Sequence, residues 1–139
     1  MPIETILPDA TTTPNPAWVG VPHVQLSNQG SNFTSCAGVN TGESFIVSFN
    51  DLTSDIGSIN SIRFYTAGIV SVTRGVDAVC SFDLLNSSDS SYSYAESKTF
   101  NDTTLSTLQA GTERTTSDGS TAWTESDVNG LRMQVTFTS

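Results

Sequence analysis

The sequence has little positive charge. Of its 139 residues only 5 are Lys or Arg, against 14 Asp or Glu, and the formal net charge is −9. A surface of this sign repels the phosphates of nucleic acids and of anionic membranes, so we expect neither as a direct partner. Charged residues of both signs make up 14% of the chain, which is below the roughly 25% usual in globular proteins.

Histidine, cysteine and long hydrophobic runs are also scarce. The single histidine, His23, stands among apolar residues, where a structural role is expected. No run approaches the roughly 18 apolar residues of a membrane span, and residues 1–16 lack the basic and apolar regions of a signal peptide. We therefore expect reduced thiols at Cys36 and Cys80, although their spacing leaves a disulfide open.

Signatures of catalysis and of metal binding are missing from the sequence. Neither cysteine lies in a thiol-enzyme or zinc spacing, and no G-x-S-x-G elbow occurs. No carboxylate pair of the glycosidase type stands out from the other acidic residues. Residues 50–55 offer oxygen ligands for calcium but lack the EF-hand spacing, so a turn is the simpler interpretation. We predict no catalytic residue, no cofactor and no metal.

Hydroxyl side chains and alternating strands are abundant. The chain has 21 Ser and 20 Thr, placed mainly between apolar residues in strands and in the turns. Apolar and polar residues alternate with period two at 45–49, 62–66, 76–84 and 131–137. Weaker strands are predicted at 92–94 and 100–108. Because no βαβ rhythm appears, we predict an all-β fold, an antiparallel β-sandwich of jelly-roll-like type.

The first 17 residues predict an extended N-terminal arm, which precedes a β-sandwich domain at 18–139. Prolines at positions 2, 8, 14 and 16 disfavour a helix and an interior strand there. The apolar residues of the arm, Ile3, Ile6 and Leu7, are the candidate partner-binding residues if the arm orders against a particle or a neighbouring subunit. A frayed terminus is the alternative interpretation.

One segment, residues 124–130, is predicted to be helical. Thr124 is a suitable N-cap, and Asp127 three residues later completes a capping box with Asp in place of Glu. Gly130 is a natural end for the helix. Trp123 precedes this turn and is expected to pack at the sandwich edge, and Trp18 is a second candidate structural residue.

The features follow a definite order along the chain. A proline-containing arm leads to Trp18, the segment Ile59–Phe64 has the form Ile-x-x-Ile-Arg-Phe, and the chain ends with the turn Ala122–Leu131 and a last strand. This order resembles the small β-sandwich virion proteins of tailed bacteriophages. The turn is the most specific element, since such proteins often carry "aWTeadvnal" there. Gly130 replaces the usual alanine of that motif, and Met133 stands where glycine is frequent.

The resemblance implies a non-enzymatic structural protein of the virion. The expected protein is a capsid decoration or cement protein, made in the host cytoplasm without a signal peptide and located at the capsid surface. Its partner would be the major capsid protein or another virion protein, and it would act as a homo-oligomer, by resemblance a trimer. A location on a head or tail fibre is the alternative within the same class.

Two other classes of function remain open from the residues. A carbohydrate-binding module or host-surface adhesion domain is the first, because Tyr65, Tyr92 and Tyr94 on polar rows would form an aromatic platform for a glycan. Exposed tyrosines in a sheet are also explained by cross-strand packing. A small polysaccharide-degrading enzyme is the second, and no residue pattern favours it.

Overall fold

The structure, a computed structural model, describes residues 3–19, 35–36, 41–53, 57–68, 70, 77–101 and 108–139. The regular secondary structure of these residues is almost entirely β. Its strands are β1 (Pro8–Thr13), β2 (Trp18–Val19), β3 (Ser35–Cys36), β4 (Ser44–Phe49), β5 (Tyr65–Thr66), β6 (Ala78–Leu85), β7 (Glu96–Phe100), β8 (Gln109–Ala110) and β9 (Arg132–Phe137). The helix described is α1 (Glu125–Asn129). The prediction of an all-β, antiparallel fold is confirmed.

Five of the described strands form one antiparallel sheet in the order β1-β4-β9-β6-β7. The last strand of the chain, β9, lies at its centre, where Val135 is opposite Phe45 of β4 and Phe82 of β6. Alternating side chains of a strand point to opposite faces, so this register gathers the apolar rows on one face. The buried side chains of that face are Phe45, Val47, Phe82, Leu84, Phe100, Met133, Val135 and Phe137.

A short two-stranded ribbon covers part of the apolar face. It consists of residues 62–66 and 109–114, in which β5 pairs with β8 and Ile62 forms a bridge with Arg114. Phe64 of the ribbon stacks on Phe82 of the sheet with ring centroids 5.6 Å apart. A side chain at Gly111 would collide with the Phe64 ring, so the close approach of the two ribbon segments requires glycine there.

The rest of the core is closed by residues from both ends of the chain. Trp18 packs edge-to-face on Phe45 with ring centroids 4.8 Å apart. Trp123, Val128 and Leu131 join the same buried cluster from the α1 side. The ribbon, Trp18 and the α1 region therefore exclude water from one face of the sheet, and burial of this apolar surface is the main stabilising contribution.

The clearest period-two patterns became strands. The predicted strand at 45–49 is β4, that at 76–84 is β6, and that at 131–137 is β9, each within two residues. The pattern at 62–66 gave only the bridge at Ile62 and the two residues of β5.

The weaker strand predictions had different outcomes. The strand at 92–94 is wrong: Ser93 has a φ of 63°, a left-handed conformation that interrupts an extended chain, and this stretch links β6 to β7. Most of the strand predicted at 100–108 lies outside the described residues. Phe100, its first residue, ends β7.

The N-terminal segment lies against the sheet. Residues 8–13 of the predicted arm form β1, which pairs with β4 at the sheet edge, with irregular register between Pro8 and Ala10 and between Thr11 and Thr13. Prolines and bulges are tolerated at an edge because they interrupt pairing on only one side. This part of the arm is an edge strand.

Candidate functional site

The N-terminal segment, residues 3–13, is fixed to the body by hydrogen bonds. Oε1 of Glu4 accepts hydrogen bonds from the Thr53 backbone N–H at 2.6 Å and from its hydroxyl at 2.8 Å. The Leu7 carbonyl accepts one from the Asn50 N–H at 2.9 Å. These contacts hold the segment beside the end of β4.

The structure separates the three predicted partner-binding residues of the arm. Ile3 is 91% exposed. Ile6 packs against the hydrophobic core of its own chain, and Leu7 is half-buried. Of the three side chains, Ile3 is the one that a partner reaches without displacing the segment.

Trp18 is held at the start of the body by a turn. The Asn15 carbonyl accepts a hydrogen bond from the Trp18 N–H at 3.0 Å, and Asn15 Oδ1 accepts one from Ala17 N–H at 2.9 Å. The indole N–H of Trp18 donates to the Glu43 carbonyl at 3.2 Å. The ring is thus buried with its polar group paired, as a structural tryptophan requires.

The helical turn has the capping box expected from the sequence. Thr124 Oγ1 accepts a hydrogen bond from the Asp127 N–H at 3.1 Å, and Asp127 Oδ2 accepts one from the Thr124 N–H at 2.9 Å. Both predicted structural residues therefore satisfy the first backbone donors of α1. The capped helix holds Val128 in place, and the side chain of Val128 is buried in the core.

Trp123 joins the capping box to the ribbon. Its ring is 4% exposed, and its indole N–H donates to the Arg114 carbonyl at 2.9 Å. The rings of Tyr92 and Tyr94 pack against it, with centroids 5.1 and 6.5 Å away. Burial, with a smaller effect of the nearby Asp127 charge, raises the pKa of Tyr92. The indole is thus enclosed by aromatic rings.

The three tyrosines proposed as a glycan platform do not have equivalent environments. The rings of Tyr92 and Tyr94 are half-buried against Trp123, and the Tyr94 hydroxyl donates to the Thr116 carbonyl at 2.8 Å. Tyr65, on the ribbon, is 59% exposed. Stacking on a sugar requires an open ring face, so Tyr65 alone of these three residues presents a well-exposed ring.

An ion network ties β7 to the ribbon. Glu96 Oε1 accepts hydrogen bonds from Arg114 Nη2 at 2.9 Å and the Thr112 N–H at 2.9 Å, and Lys98 Nζ lies 3.4 Å from Glu96 Oε2. Burial opposes ionisation of Glu96, but the hydrogen bonds from Thr112, Arg114 and Lys98 outweigh it and hold its pKa below the usual value. The Arg114 guanidinium also lies over the Tyr94 ring, 4.4 Å from its centroid.

This network was missed in the sequence. Glu96 lies opposite Phe82 and Lys98 opposite Cys80, so both charged residues stand on the apolar side of the sheet. The available signal was a pair of opposite charges two residues apart in a strand, on one face. Their partner Arg114 is 18 residues from Glu96, and nothing in the sequence pattern connects it to them.

A second carboxylate, Asp118, organises a surface loop. Its Oδ1 atom accepts hydrogen bonds from the Thr121 N–H at 2.6 Å and the Ser120 N–H at 2.9 Å. These bonds hold the pKa of Asp118 well below its usual range. Gly119 has a φ of 87°, which favours glycine at this bend. In these contacts the Asp118 carboxylate binds only groups of its own loop, and neither Ser120 nor Thr121 is titratable.

Two shallow grooves flank α1. One, of about 260 Å³, is lined by Gly57, Ser58, Ile59, Ala122, Trp123, Thr124 and Glu125. The other is lined by Ser87, Glu125, Ser126, Asn129 and Gly130. Glu125 is the one carboxylate in both linings, and neither lining places a second acid, a base or a nucleophilic cysteine beside it. The grooves offer polar contacts without a general acid–base pair.

The loop weighed as a calcium site is partly described. The Leu52 N–H donates to Asn129 Oδ1 at 2.8 Å, and Thr53 binds Glu4. The rest of that loop, residues 54–55, lies outside the described residues, as does His23. Within the described ranges no cluster of three or more His, Cys, Asp or Glu side chains is arranged to hold a metal ion.

The fold and these contacts define an all-β domain whose charged and aromatic side chains mostly bind other parts of the same chain. In the described part of the chain, no helix has the length and apolar character needed to cross a membrane. Comparison with known proteins found no matching family model, no matching curated protein and no matching solved structure.

Proposed function

We propose that this chain is a non-enzymatic structural protein of a bacteriophage virion, a decoration or cement protein at the capsid surface. It binds the major capsid protein or another virion protein and acts as a homo-oligomer. The observation that carries the proposal is the Ala122–Leu131 turn, the element similar to tailed-phage virion proteins, in which Trp123 is buried and Thr124 and Asp127 form a capping box. Among the described residues, Ile3, Leu108 and Tyr65 are large apolar side chains that a partner can reach, being 91%, 70% and 59% exposed.

The architecture supports the same proposal. The ribbon lies over the apolar face of the five-stranded sheet, as the second layer of a jelly-roll-like sandwich would. The motif similar to tailed-phage virion proteins also has a physical role. Trp123 fills the gap beside the ribbon, while Thr124 and Asp127 cap the turn that leads into β9.

The surface composition suits display in many copies. The net charge of −9 and the abundance of Ser and Thr discourage non-specific association between crowded domains. In the part of the chain that the structure describes, exposed apolar side chains such as Ile3 are available for specific contacts. This division is expected of a protein that coats a particle.

The proposal is tested by binding to particles. Purified chain is added to virions that lack it, and pelleted protein is measured after sedimentation through a density gradient. We expect saturable binding at a fixed number of copies per capsomer and ordered density at the capsid surface in a reconstruction. Particles that already carry the protein are the control and should take up no more. Absence of binding, or binding that rises without saturation, would contradict the proposal.

A truncated chain is a poor probe of the arm. Deleting residues 1–12 removes most of β1 and also Ile6, which packs on the core, so the sheet itself would be disturbed. Point substitutions at exposed positions of the N-terminal segment leave β1 and Ile6 in place. They are therefore the appropriate variants for particle binding.

A further inference from the structure

Asn129 and Gly130 form the one Asn-Gly pair of the sequence. Asn129 is the last residue of α1, and Gly130 is its C-cap. When glycine follows asparagine, its backbone nitrogen can attack the side-chain amide with little steric hindrance, because glycine has no Cβ. The product is a five-membered succinimide ring, which water opens to aspartate or isoaspartate. The sequence therefore places a chemically reactive pair just before β9, the strand at the centre of the sheet.

Solvent reaches this pair in the folded protein. Asn129 and Gly130 are both half-buried, and both line the shallow groove that Ser87, Glu125 and Ser126 complete. Water and a base from solution therefore have access to the amide of Asn129. Accessibility does not prevent the reaction, so any protection must come from the conformation of the backbone and from its hydrogen bonds.

The folded helix keeps the two reacting atoms apart. Ring closure requires the Gly130 nitrogen to turn towards Cβ of Asn129, whereas a helical ψ of about −42° directs that nitrogen along the helix. The Gly130 N–H is also occupied, since it donates to the Ser126 carbonyl at 3.0 Å. Asn129 Oδ1 accepts a hydrogen bond from the Leu52 N–H at 2.8 Å, which fixes the side chain. The attack therefore requires the end of α1 to open.

The protecting contacts belong to a very short helix. α1 has five residues, and a helix of that length is not stable by itself, so it depends on its capping box and on the burial of Val128. Short elements of this kind open locally at a free energy below that of global unfolding. Thr124 and Asp127, which form the capping box, therefore determine how often Asn129 is released from its protected conformation.

We propose that Asn129 is a deamidation site of this chain, protected while α1 is formed and reactive when α1 opens. In the open state the Gly130 nitrogen gives its proton to a base from solution and forms a bond to Cγ of Asn129. The Cγ–Nδ2 bond breaks, and the departing nitrogen takes up a proton and leaves as ammonia. Water then adds its hydroxyl to one of the two ring carbonyl carbons and its proton to the ring nitrogen, and the bond between those two atoms breaks.

The two products affect the fold differently. Opening at Cγ gives aspartate, whose carboxylate still accepts the Leu52 N–H. Opening at the main-chain carbonyl gives isoaspartate, which adds one methylene to the backbone between Val128 and Leu131. Both of these side chains are buried, and the Leu131 N–H donates to the Val128 carbonyl at 3.1 Å. The longer backbone strains this connection, so the isoaspartate form should be less stable than the aspartate form. The inference concerns the isolated chain and does not rest on the proposed function.

The experiment follows deamidation of the purified full chain over time in mildly alkaline buffer, with and without urea. Trypsin, used at a pH low enough to stop the reaction, releases residues 115–132, in which Asn129 is the one asparagine. Mass spectrometry detects the exchange of its amide for a hydroxyl as a gain of about one dalton. Isomerisation at Asp118, in the same peptide, leaves the mass unchanged. We expect the reaction in urea to be at least tenfold faster than in the folded chain.

The intrinsic chemistry has its own control. Gly130→Ala adds a Cβ that hinders attack on the amide, so in urea it should slow the reaction about tenfold. A Cβ at residue 130 would lie 3.1 Å from Cβ of Ser87 in the folded chain, and the measurement in urea removes this contact from the comparison.

Variants of the folded chain test whether opening of α1 controls the rate. Thr124→Ala should accelerate deamidation without urea by about 2- to 30-fold, which is the loss of an N-cap expressed as an opening equilibrium. Ser126→Ala, at an exposed position of the same helix, is the matched control and should react as the wild type does. Glu96→Gln weakens the contact of β7 with the ribbon, away from α1, and should not accelerate the reaction. Asp127→Ala replaces Thr124→Ala if circular dichroism shows that the latter is unfolded.

Three outcomes would overturn the inference. The first is a folded wild-type chain that deamidates at Asn129 as fast as the chain in urea, or a chain in urea that does not deamidate there. The second is a folded Thr124→Ala variant that reacts no faster than Ser126→Ala. The third is a Glu96→Gln variant accelerated as much as Thr124→Ala, which would assign the reaction to global unfolding and not to the opening of α1.

Discussion

The first and last strands along the chain, β1 and β9, have the same length but differ in how their side chains are buried. β1 and β9 each span six residues. In β9 the side chains are alternately half-buried and buried along the whole strand, whereas β1 shows no regular alternation. β9 has a strand on both sides and a covered face beneath it, while β1 pairs with β4 at the sheet edge. The position of a strand in the sheet, more than its length, therefore determines how regularly apolar and polar residues must alternate along it.

The same difference separates the forces that hold the two strands. β9 contributes Met133, Val135 and Phe137 to the core, so it is held chiefly by apolar burial. β1 contributes none of the fully buried side chains. It is held by pairing with β4 and by polar anchors such as Asp9, which accepts a hydrogen bond from Ser48. Substitutions in the two strands should therefore have very different effects on stability.

The largest effect is expected at the centre of the sheet. Met133→Ala removes a side chain that is 7% exposed and lies in register between Val47 and Leu84. The lost burial and the cavity left behind should lower the free energy of unfolding by about 2–5 kcal/mol. Urea denaturation followed by tryptophan fluorescence measures this.

Met133→Leu is the matched control, because it conserves volume and apolar character and should cost less than about 1.5 kcal/mol. If the alanine variant were as stable as the leucine variant, β9 would not be the apolar centre of the sheet. The contrast with β1 would then be lost.

The same contrast between β9 and β1 explains which parts of the structure could be predicted from the sequence. The apolar rows of β4, β6 and β9 were evident because each strand has one face in the core, and the capping box of Thr124 and Asp127 is a local signal within four residues. The pairing of residues 8–13 with β4 was missed, since an edge strand needs no apolar row. The Glu96 network and the burial of Tyr92 and Tyr94 were missed because their partners are set by tertiary contacts.

The other edge of the sheet allows an intermediate test. Glu96 of β7 binds Arg114 and Thr112 of the ribbon, and its side chain is only 14% exposed. Glu96→Gln removes the charge, and hydrogen bonds to charged groups contribute about 1.5–3 kcal/mol. We expect a loss of that size at pH 7, measured by urea denaturation. Glu113→Gln is the control, because its pair with Arg63 is well exposed and should contribute less than about 1 kcal/mol.

The stability difference between the wild type and the Glu96→Gln variant should also depend on pH. The pKa of Glu96 is lowered in the folded state from a usual value of 4.5, so the unfolded chain binds more protons below that pH. The stability that the carboxylate contributes is present above pH 4.5 and is lost as the pH falls through its folded pKa. The difference between wild type and Glu96→Gln should therefore shrink as the pH is lowered from 5. A difference that stays constant would show that the charge of Glu96 is not responsible.

A smaller effect is expected at the turn before β9. Thr124→Ala removes the hydroxyl that accepts the Asp127 N–H, and loss of an N-cap costs about 0.5–2 kcal/mol. Thr124→Ser retains the hydroxyl and should recover most of the stability. Ser126→Ala, at an exposed position of the same helix, is the neutral control. Equal stability of the Thr124→Ala and Ser126→Ala variants in thermal unfolding would show that α1 is held by Val128 alone.

The smallest effect is expected at β1. Asp9→Ala removes the acceptor of the Ser48 hydroxyl, a contact between exposed groups, and should change the free energy of unfolding by less than about 0.5 kcal/mol. Urea denaturation of the wild type and of this variant measures the difference. A loss of stability approaching that of Met133→Ala would show that β1, although it lies at the edge, contributes as much to the stability of the sheet as β9 does.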